Sequence, residues 1–150
     1  MKKFKFNLES VLKYRASIER QEKGVLSGLN AQLAQLLDEL DKLYSDYKQT
    51  AGQFESAMSG EGMSVYDIRA MHALLENIEF FIEKKLAEIE AQNRLISRQT
   101  MIVTRAMRET KTMDRLKEIK YDEYVKSEAK EQEKFIEEFA AHQKQSAINN

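Results

Sequence analysis

Proline, cysteine and tryptophan are missing from this 150-residue chain, and Gly occurs only 5 times. Proline punctuates the loops of compact domains and glycine supplies their positive-φ turns, so scarcity of both commits the chain to a few long helices. Without cysteine there is no disulfide framework and no thiol chemistry. No run of about 18 apolar residues is present, which argues against a transmembrane helix. The start, Met1-Lys2-Lys3-Phe4-Lys5-Phe6, is basic but lacks the apolar stretch and cleavage site of a signal peptide, so a cytoplasmic setting is the expectation. An excess of one charge is missing too: 24 basic residues face 25 acidic ones, for a net charge of −1. That balance argues against bulk attraction to nucleic acid or to a membrane.

What is abundant is charge, 33% of residues, mixed with the helix formers Glu, Lys, Leu, Ala and Gln. This composition points to an all-α chain of coiled-coil type. One clear break, Ser59-Gly60-Glu61-Gly62, places a hairpin turn at 59–63. A single coiled-coil domain follows: a first arm over about 8–58, a second over about 64–142 and a frayed tail over 143–150. Asn7 is the expected N-cap of the first arm, with Phe6 and Val11 at the spacing of a hydrophobic staple. Ser64 is the expected cap of the second, with Met63 and Ile68 as the staple and Asp67 completing a capping-box-like pair.

The first arm carries Leu29, Leu33, Leu36, Leu40, Leu43, Tyr47, Thr50 and Phe54 at alternating steps of four and three, the pattern of a left-handed coiled coil. Upstream, Leu8, Val11, Arg15, Ile18, Glu22 and Val25 join that row only through two consecutive steps of four, a stutter that unwinds the supercoil locally. Gly24 and Gly28 flank the join, either as tolerated small residues or as a site of close approach. The second arm opens with Ile68, Met71, Leu75, Ile78 and Ile82 and continues through Ile89, Ile96, Val103, Met107 and Leu116, with poorer seam residues between. Val125, Ala129, Ile136 and Phe139 close it. At 1.5 Å per residue the arms are roughly 75 and 115 Å long. Leu8 would then stand opposite about Asp114, and whatever follows either overhangs as a single helix or requires a break in the second arm.

Catalytic chemistry has no foothold in this pattern. His72 and His142 have no second His or Cys at metal-ligand spacing, so neither a metal nor a cofactor is expected. No Gly-rich phosphate loop, nucleophile elbow or zinc-binding His pair occurs, and a coiled coil offers no cleft to shift the pKa of a carboxylate. Between Arg94 and Lys120 a belt of eight basic residues faces three acidic ones, with acidic flanks on both sides. It lacks the interleaved aromatics of a nucleic-acid surface, and reads as a solvated face or as a register and steering device. Leu37, Tyr44, Leu74, Phe80, Phe81 and Leu86 fall outside or at the edge of a two-stranded seam, near the turn. They imply a wider seam or a short extra helix there, or an exposed patch awaiting a partner.

The opening Phe6-x-Leu8-x-x-Val11-Leu12-x-Tyr14-Arg15-x-x-x-Glu19 resembles the start of FliJ-type flagellar export proteins. The closing Tyr124-x-x-x-Glu128-x-Lys130 and Glu137-Glu138-Phe139-Ala140 resemble their C-terminal signature. The resemblance implies a cytoplasmic, non-catalytic stalk of the type III export apparatus, similar to the gamma subunit of rotary ATPases. Such a protein is monomeric when alone and sits at the cytoplasmic face of the membrane through the apparatus, without inserting into it. Its implied partners are the hexameric export ATPase, the cytoplasmic domain of the export gate and export chaperones. The gate-binding positions implied are Leu36, Leu40, Tyr47, Leu74, Ile78, Phe81 and Lys85, where the family pattern usually has a histidine at the Lys85 position and a second tyrosine is displaced to Tyr44. The ATPase-binding positions implied are Phe6, Leu8, Val11, Leu12, Arg15, Ile18, Tyr124, Glu138 and Phe139. A free-standing coiled-coil scaffold or helical chaperone that self-associates through the second arm is the competing expectation.

Overall fold

A computed structural model describes residues 3–60 and 62–148. Glu61 of the expected turn, Met1 and Lys2 of the basic start, and Asn149 and Asn150 of the expected tail lie outside the described residues. Two helices, α1 (Glu9–Ser59) and α2 (Val65–Ile148), pack against each other as an all-α hairpin. No third helix is present among the described residues, so nothing of that kind covers the surplus apolar side chains near the turn. The second arm is one continuous helix, and it remains helical past His142 to Ile148.

The start of α2 follows directly from its sequence. The Asp67 amide donates to Ser64 Oγ at 3.2 Å, while the Ser64 amide and hydroxyl donate to Asp67 Oδ2 at 3.4 and 2.8 Å. These reciprocal bonds satisfy donors that a helix start otherwise leaves orphaned. At α1 the first helical bond runs from Leu12 N to Leu8 O, so helix entry falls one residue beyond the expected Asn7 cap. The α1 end tightens through Gly60 N to Ala57 O, and Gly62 holds φ at +110°, a conformation that disfavours residues with a Cβ.

The packing resolves into two compact units: Gln21–Thr104, which contains the turn, and residues up to Arg20 together with those from Arg105 onward. In the turn unit the helices are antiparallel, since the α2 partner falls from Gln99 to Gln92, Lys85 and Glu79 as the α1 position rises from Glu22 to Gln32, Glu39 and Tyr47. Leu40, Ile82 and Ile89 are its buried centre, with Leu33, Leu36, Leu43, Tyr47 and Ile78 packed around them. Burying a leucine or isoleucine side chain contributes about 1.5–3 kcal/mol, which makes this cluster the main anchor of the turn unit. In the end unit Lys117 pairs with Glu9 at 2.8 Å and Glu109 with Arg15 at 2.7 Å, again antiparallel. Leu12, Ala106 and Thr110 are buried there. Among the described residues no side chain is fully buried, as expected when the core is a single seam.

The seam differs from the expected one at α1. Leu26 and Leu12 are buried or half-buried, whereas Val25 and Val11 are exposed. The inward row runs Leu12, Arg15, Glu19, Glu22, Leu26, Leu29 and Leu33 at unbroken steps of three and four, so no stutter occurs. A Cβ added at Gly24 or Gly28 would meet nothing within 4 Å, which excludes the close-approach reading of these glycines. On α2 the half-buried or buried row is continuous from Ile68 to Lys117 and passes through Lys85, Gln92, Gln99 and Thr110, not through the exposed Met107.

Candidate functional site

Within the turn unit, Leu36, Leu40, Tyr47 and Ile78 belong to the packed seam. Leu40, only 8% exposed, supports a surface from beneath and does not form one. The Tyr47 hydroxyl donates to Glu79 Oε1 at 3.0 Å, and this hydrogen bond to a carboxylate raises the phenol above its ordinary pKa. Phe81 and Leu74 are exposed, as are Leu37, Tyr44, Phe80 and Leu86. An open groove of about 390 Å³ lies along the seam, with Phe81 and Leu43 as its apolar wall and Glu39, Lys42, Lys84, Lys85 and Glu88 around them.

Lys85 occupies a seam position where an apolar residue is the norm. Its Nζ donates to Glu39 Oε2 at 2.7 Å and to Glu88 Oε2 at 3.0 Å. The hydrogen bond from Lys85 holds the Glu39 carboxyl below its ordinary range, and the bonds to Glu39 and Glu88 hold the Lys85 ammonium above its own. Lys85 is therefore a tether between the helices beside the groove, with its donors already engaged by two carboxylates.

Lys85 begins a polar column. One heptad on, Gln92 Nε2 donates to Leu29 O at 2.9 Å and Gln32 Oε1 at 3.1 Å. A further heptad on, Gln99 Nε2 donates to Glu22 O at 3.0 Å and to the Glu22 carboxylate. Both glutamines are 8% exposed. The signal was available in the sequence: extending the spacing of Ile68, Met71, Leu75, Ile78 and Ile82 lands on Lys85, Gln92 and Gln99.

In the end unit, residues 3–7 run ahead of α1 and lie along α2. Phe4 stacks edge-on against Tyr121, with ring centroids 5.3 Å apart, and tilted against Tyr124 at 5.6 Å. Burial, with the nearby Glu128 charge adding to it, pushes the Tyr124 phenol above its ordinary pKa. A groove of about 800 Å³ beside these rings takes in Phe6, Leu8 and Tyr124 of the expected ATPase-binding set, and also Phe4, Leu116 and Glu131. Leu12 is buried and holds the seam, while Arg15 is paired with Glu109. Leu8 and Val11 are exposed, and Ile18 is half-buried. From residue 132 to 148 every α2 position is exposed, with Glu138 and Phe139 among them and Phe135 and Ile136 beside them. Sequence reasoning missed Phe4 and Tyr121, because Phe4 precedes the first helix and no helical period points to it.

The basic belt is largely neutralised locally. Arg94 pairs with Glu90, Arg105 with Glu109, Arg115 with Glu118 and Lys120 with Glu123. Among the described residues no group of His, Asp or Glu is arranged to hold a metal ion, and no helix is long and apolar enough to cross a membrane.

These features, a two-helix hairpin with a groove at each unit and exposed apolar residues on both, were compared with known proteins. The family model for the flagellar FliJ protein matches residues 4–147. The chain belongs to the FliJ family. Members of this family are non-catalytic components of the type III export apparatus, and that association extends to this FliJ-family chain. Its fold is similar to that of a solved YscO homolog, CT670 from Chlamydia trachomatis, at a TM-score of 0.59 and 18% identity, covering 99% of each chain. No curated protein matches this FliJ-family sequence.

Proposed function

We propose that this chain is a central stalk linking the export ATPase ring to the cytoplasmic domain of the export gate, with no catalytic activity of its own. The turn unit carries the gate-binding surface. Leu74, Phe81 and the Leu43 wall of the groove make the contact, and Leu36, Leu40, Tyr47 and Ile78 hold that surface in place. Lys85 positions it through Glu39 and Glu88. The end unit carries the ATPase-binding surface: Phe6, Leu8, Val11, Tyr124, Glu138 and Phe139 make the contact, Ile18 borders it, and Leu12 and Arg15 keep the helices paired beneath. Export chaperones are a third class of partner. The protein works as a monomer in the cytoplasm, held near the membrane by the apparatus.

The observation that carries this reading is the match of the FliJ family model to residues 4–147. The apolar groove at Phe81 and Leu43 supports the gate assignment, because an exposed aromatic beside a charged rim is the usual make-up of an interface anchor. Phe81→Ala is expected to cost about 2 kcal/mol of gate binding, roughly thirtyfold in Kd. Phe139→Ala should leave gate binding unchanged and weaken ATPase binding. Titration calorimetry with the purified gate domain checks this, alongside circular dichroism for helicity. Equal gate affinity for the two variants, both fully helical, would remove the assignment. The exposed Phe135, Ile136 and Phe139 favour one competing reading, self-association through the end of α2. A concentration-independent monomer mass in sedimentation equilibrium would eliminate it.

A further inference from the structure

The polar column of α2 and the leucine rows of α1 share one seven-residue period, and the contacts that Lys85, Gln92 and Gln99 make across the turn unit each have a chemical equivalent one heptad away. Lys85 now meets Glu39, Gln92 meets Leu29 O and Gln32, and Gln99 meets Glu22. Moving α2 one heptad toward the turn brings Lys85 level with Asp46. Gln92 then comes level with Leu36 O and Glu39, and Gln99 with Leu29 O and Gln32. The apolar layers survive as well, because Ile82, Ile89 and Ile96 would pass along Leu40 and Leu33 as isoleucine replacing isoleucine. The opposite movement sets Gln92 at Glu22, where Gln99 stands now, but leaves Lys85 the uncharged Gln32 in place of a carboxylate, so the degeneracy favours one direction.

The connection permits the movement. One heptad of helix is about 10 Å, and neighbouring helix axes lie about 8–10 Å apart. Residues 60–64, extended at about 3.3 Å per residue, bridge the resulting gap of roughly 14 Å without unwinding either helix.

We propose that the turn unit has a second register, displaced by one heptad, and that exchange between the two registers switches the groove. In the present register Phe81 stands beside Leu43. In the displaced one it comes level with Thr50, and the apolar wall is lost. That the groove is a docking site rests on the function proposed above; the existence of the second register does not. The present register is the ground state because some contacts have no equivalent. Tyr47, bonded to Glu79, would come level with Leu86. In the end unit, Arg15 would leave Glu109 for the level of Leu116.

A chain with no native cysteine suits disulfide trapping. A disulfide needs Cα atoms about 4.4–6.8 Å apart, so it separates registers about 10 Å apart. Leu33→Cys/Ile89→Cys reports the present register, Leu33→Cys/Ile96→Cys the displaced one, and Leu33→Cys/Val103→Cys, two heptads away, is the control. The full chain is oxidised in a glutathione buffer, and intramolecular disulfide is quantified by mass. The Ile96 pair is expected on the order of tenfold above the control, as for a minor state of a few per cent, and to rise further with Tyr47→Phe. Yields equal to the control in both backgrounds would overturn the proposal. Gln32→Cys/Gln92→Cys and Gln32→Cys/Gln99→Cys repeat the comparison with the apolar core intact, so a folding defect cannot decide the result. No partner takes part, so failure here leaves the docking assignment untouched, and failure of that assignment leaves this measurement standing.

Discussion

Gln92 allows the energetics of the polar column to be worked through. It is 8% exposed and donates to Leu29 O and Gln32 Oε1. Replacing it by leucine removes a hydrogen-bond donor whose net worth is about 0.5–1.5 kcal/mol. Neither acceptor is stranded, because Leu29 O still takes its helical N–H and the exposed Gln32 side chain takes water. Leucine in turn buries one more hydrocarbon group than glutamine, about 0.8 kcal/mol, and escapes the cost of desolvating an amide. Gln92→Leu is therefore expected to lie between neutral and about 1 kcal/mol more stable. Gln92→Ala, which leaves a hole facing the leucine row, should lose about 1–2 kcal/mol. Urea unfolding followed by circular dichroism measures both, with an unchanged m-value showing that the same surface unfolds. A loss of more than about 1 kcal/mol in the leucine variant would refute the argument, because the amide bonds would then outweigh apolar burial. The physical role left for the glutamine is specificity: a polar seam residue restricts the helices to alignments in which it finds a partner, at a cost in stability.

Two further outcomes follow from the same geometry. Gly24→Ala and Gly28→Ala, with no atom within 4 Å of the new methyl group, should each raise stability by about 1 kcal/mol in the same urea assay, and a loss at either site would show a close approach after all. The Lys85–Glu39 contact sets a pH window. Glu39 lies below its ordinary 4.5, so its contribution is complete above that value and is lost as pH falls through the lowered folded pKa. Lys85 lies above its ordinary 10.5, so its contribution is complete below that value and is lost as pH climbs through the raised one. The stability gap between wild type and Lys85→Met should be flat between these limits and shrink on the acid side. The acid side is the cleaner test, because Tyr47 also titrates at alkaline pH. A gap that does not change below pH 4.5 would show that Lys85 acts through its methylene stem alone.

The hairpin, its turn and the Ser64–Asp67 cap were legible because glycine placement, helical period and capping chemistry are local signals. The stutter was a misreading with a definite cause. Val11 and Val25 are more conspicuously apolar than their neighbours, and following them breaks the repeat. The folded chain instead buries Leu12 and Leu26 and accepts Arg15, Glu19 and Glu22 in the seam. A charged side chain can occupy such a position because its stem packs while its head reaches solvent or a partner. The polar column escaped notice for the same reason: Lys85, Gln92 and Gln99 are seam residues by spacing and not by hydropathy. At the candidate sites the exposed Phe81 and Leu74 were legible as surplus to a narrow stripe. The burial of Leu40 and the engagement of Lys85 by Glu39 depend on the other helix and could not be read from one strand of residues, whereas Glu88 lies three residues on in the same helix.

Residues 132–148 continue α2 with every position exposed. A helical segment of this length, with so little surface buried, sits close to the coil–helix midpoint in water. In the proposed function, Phe135, Ile136 and Phe139 ride on a tether that captures the ATPase loosely at a distance and coils up afterwards, which favours fast encounter over tight grip. In that role residues 132–148 are closer to a fishing line than to a key, and the surface that receives them determines how much of the segment winds.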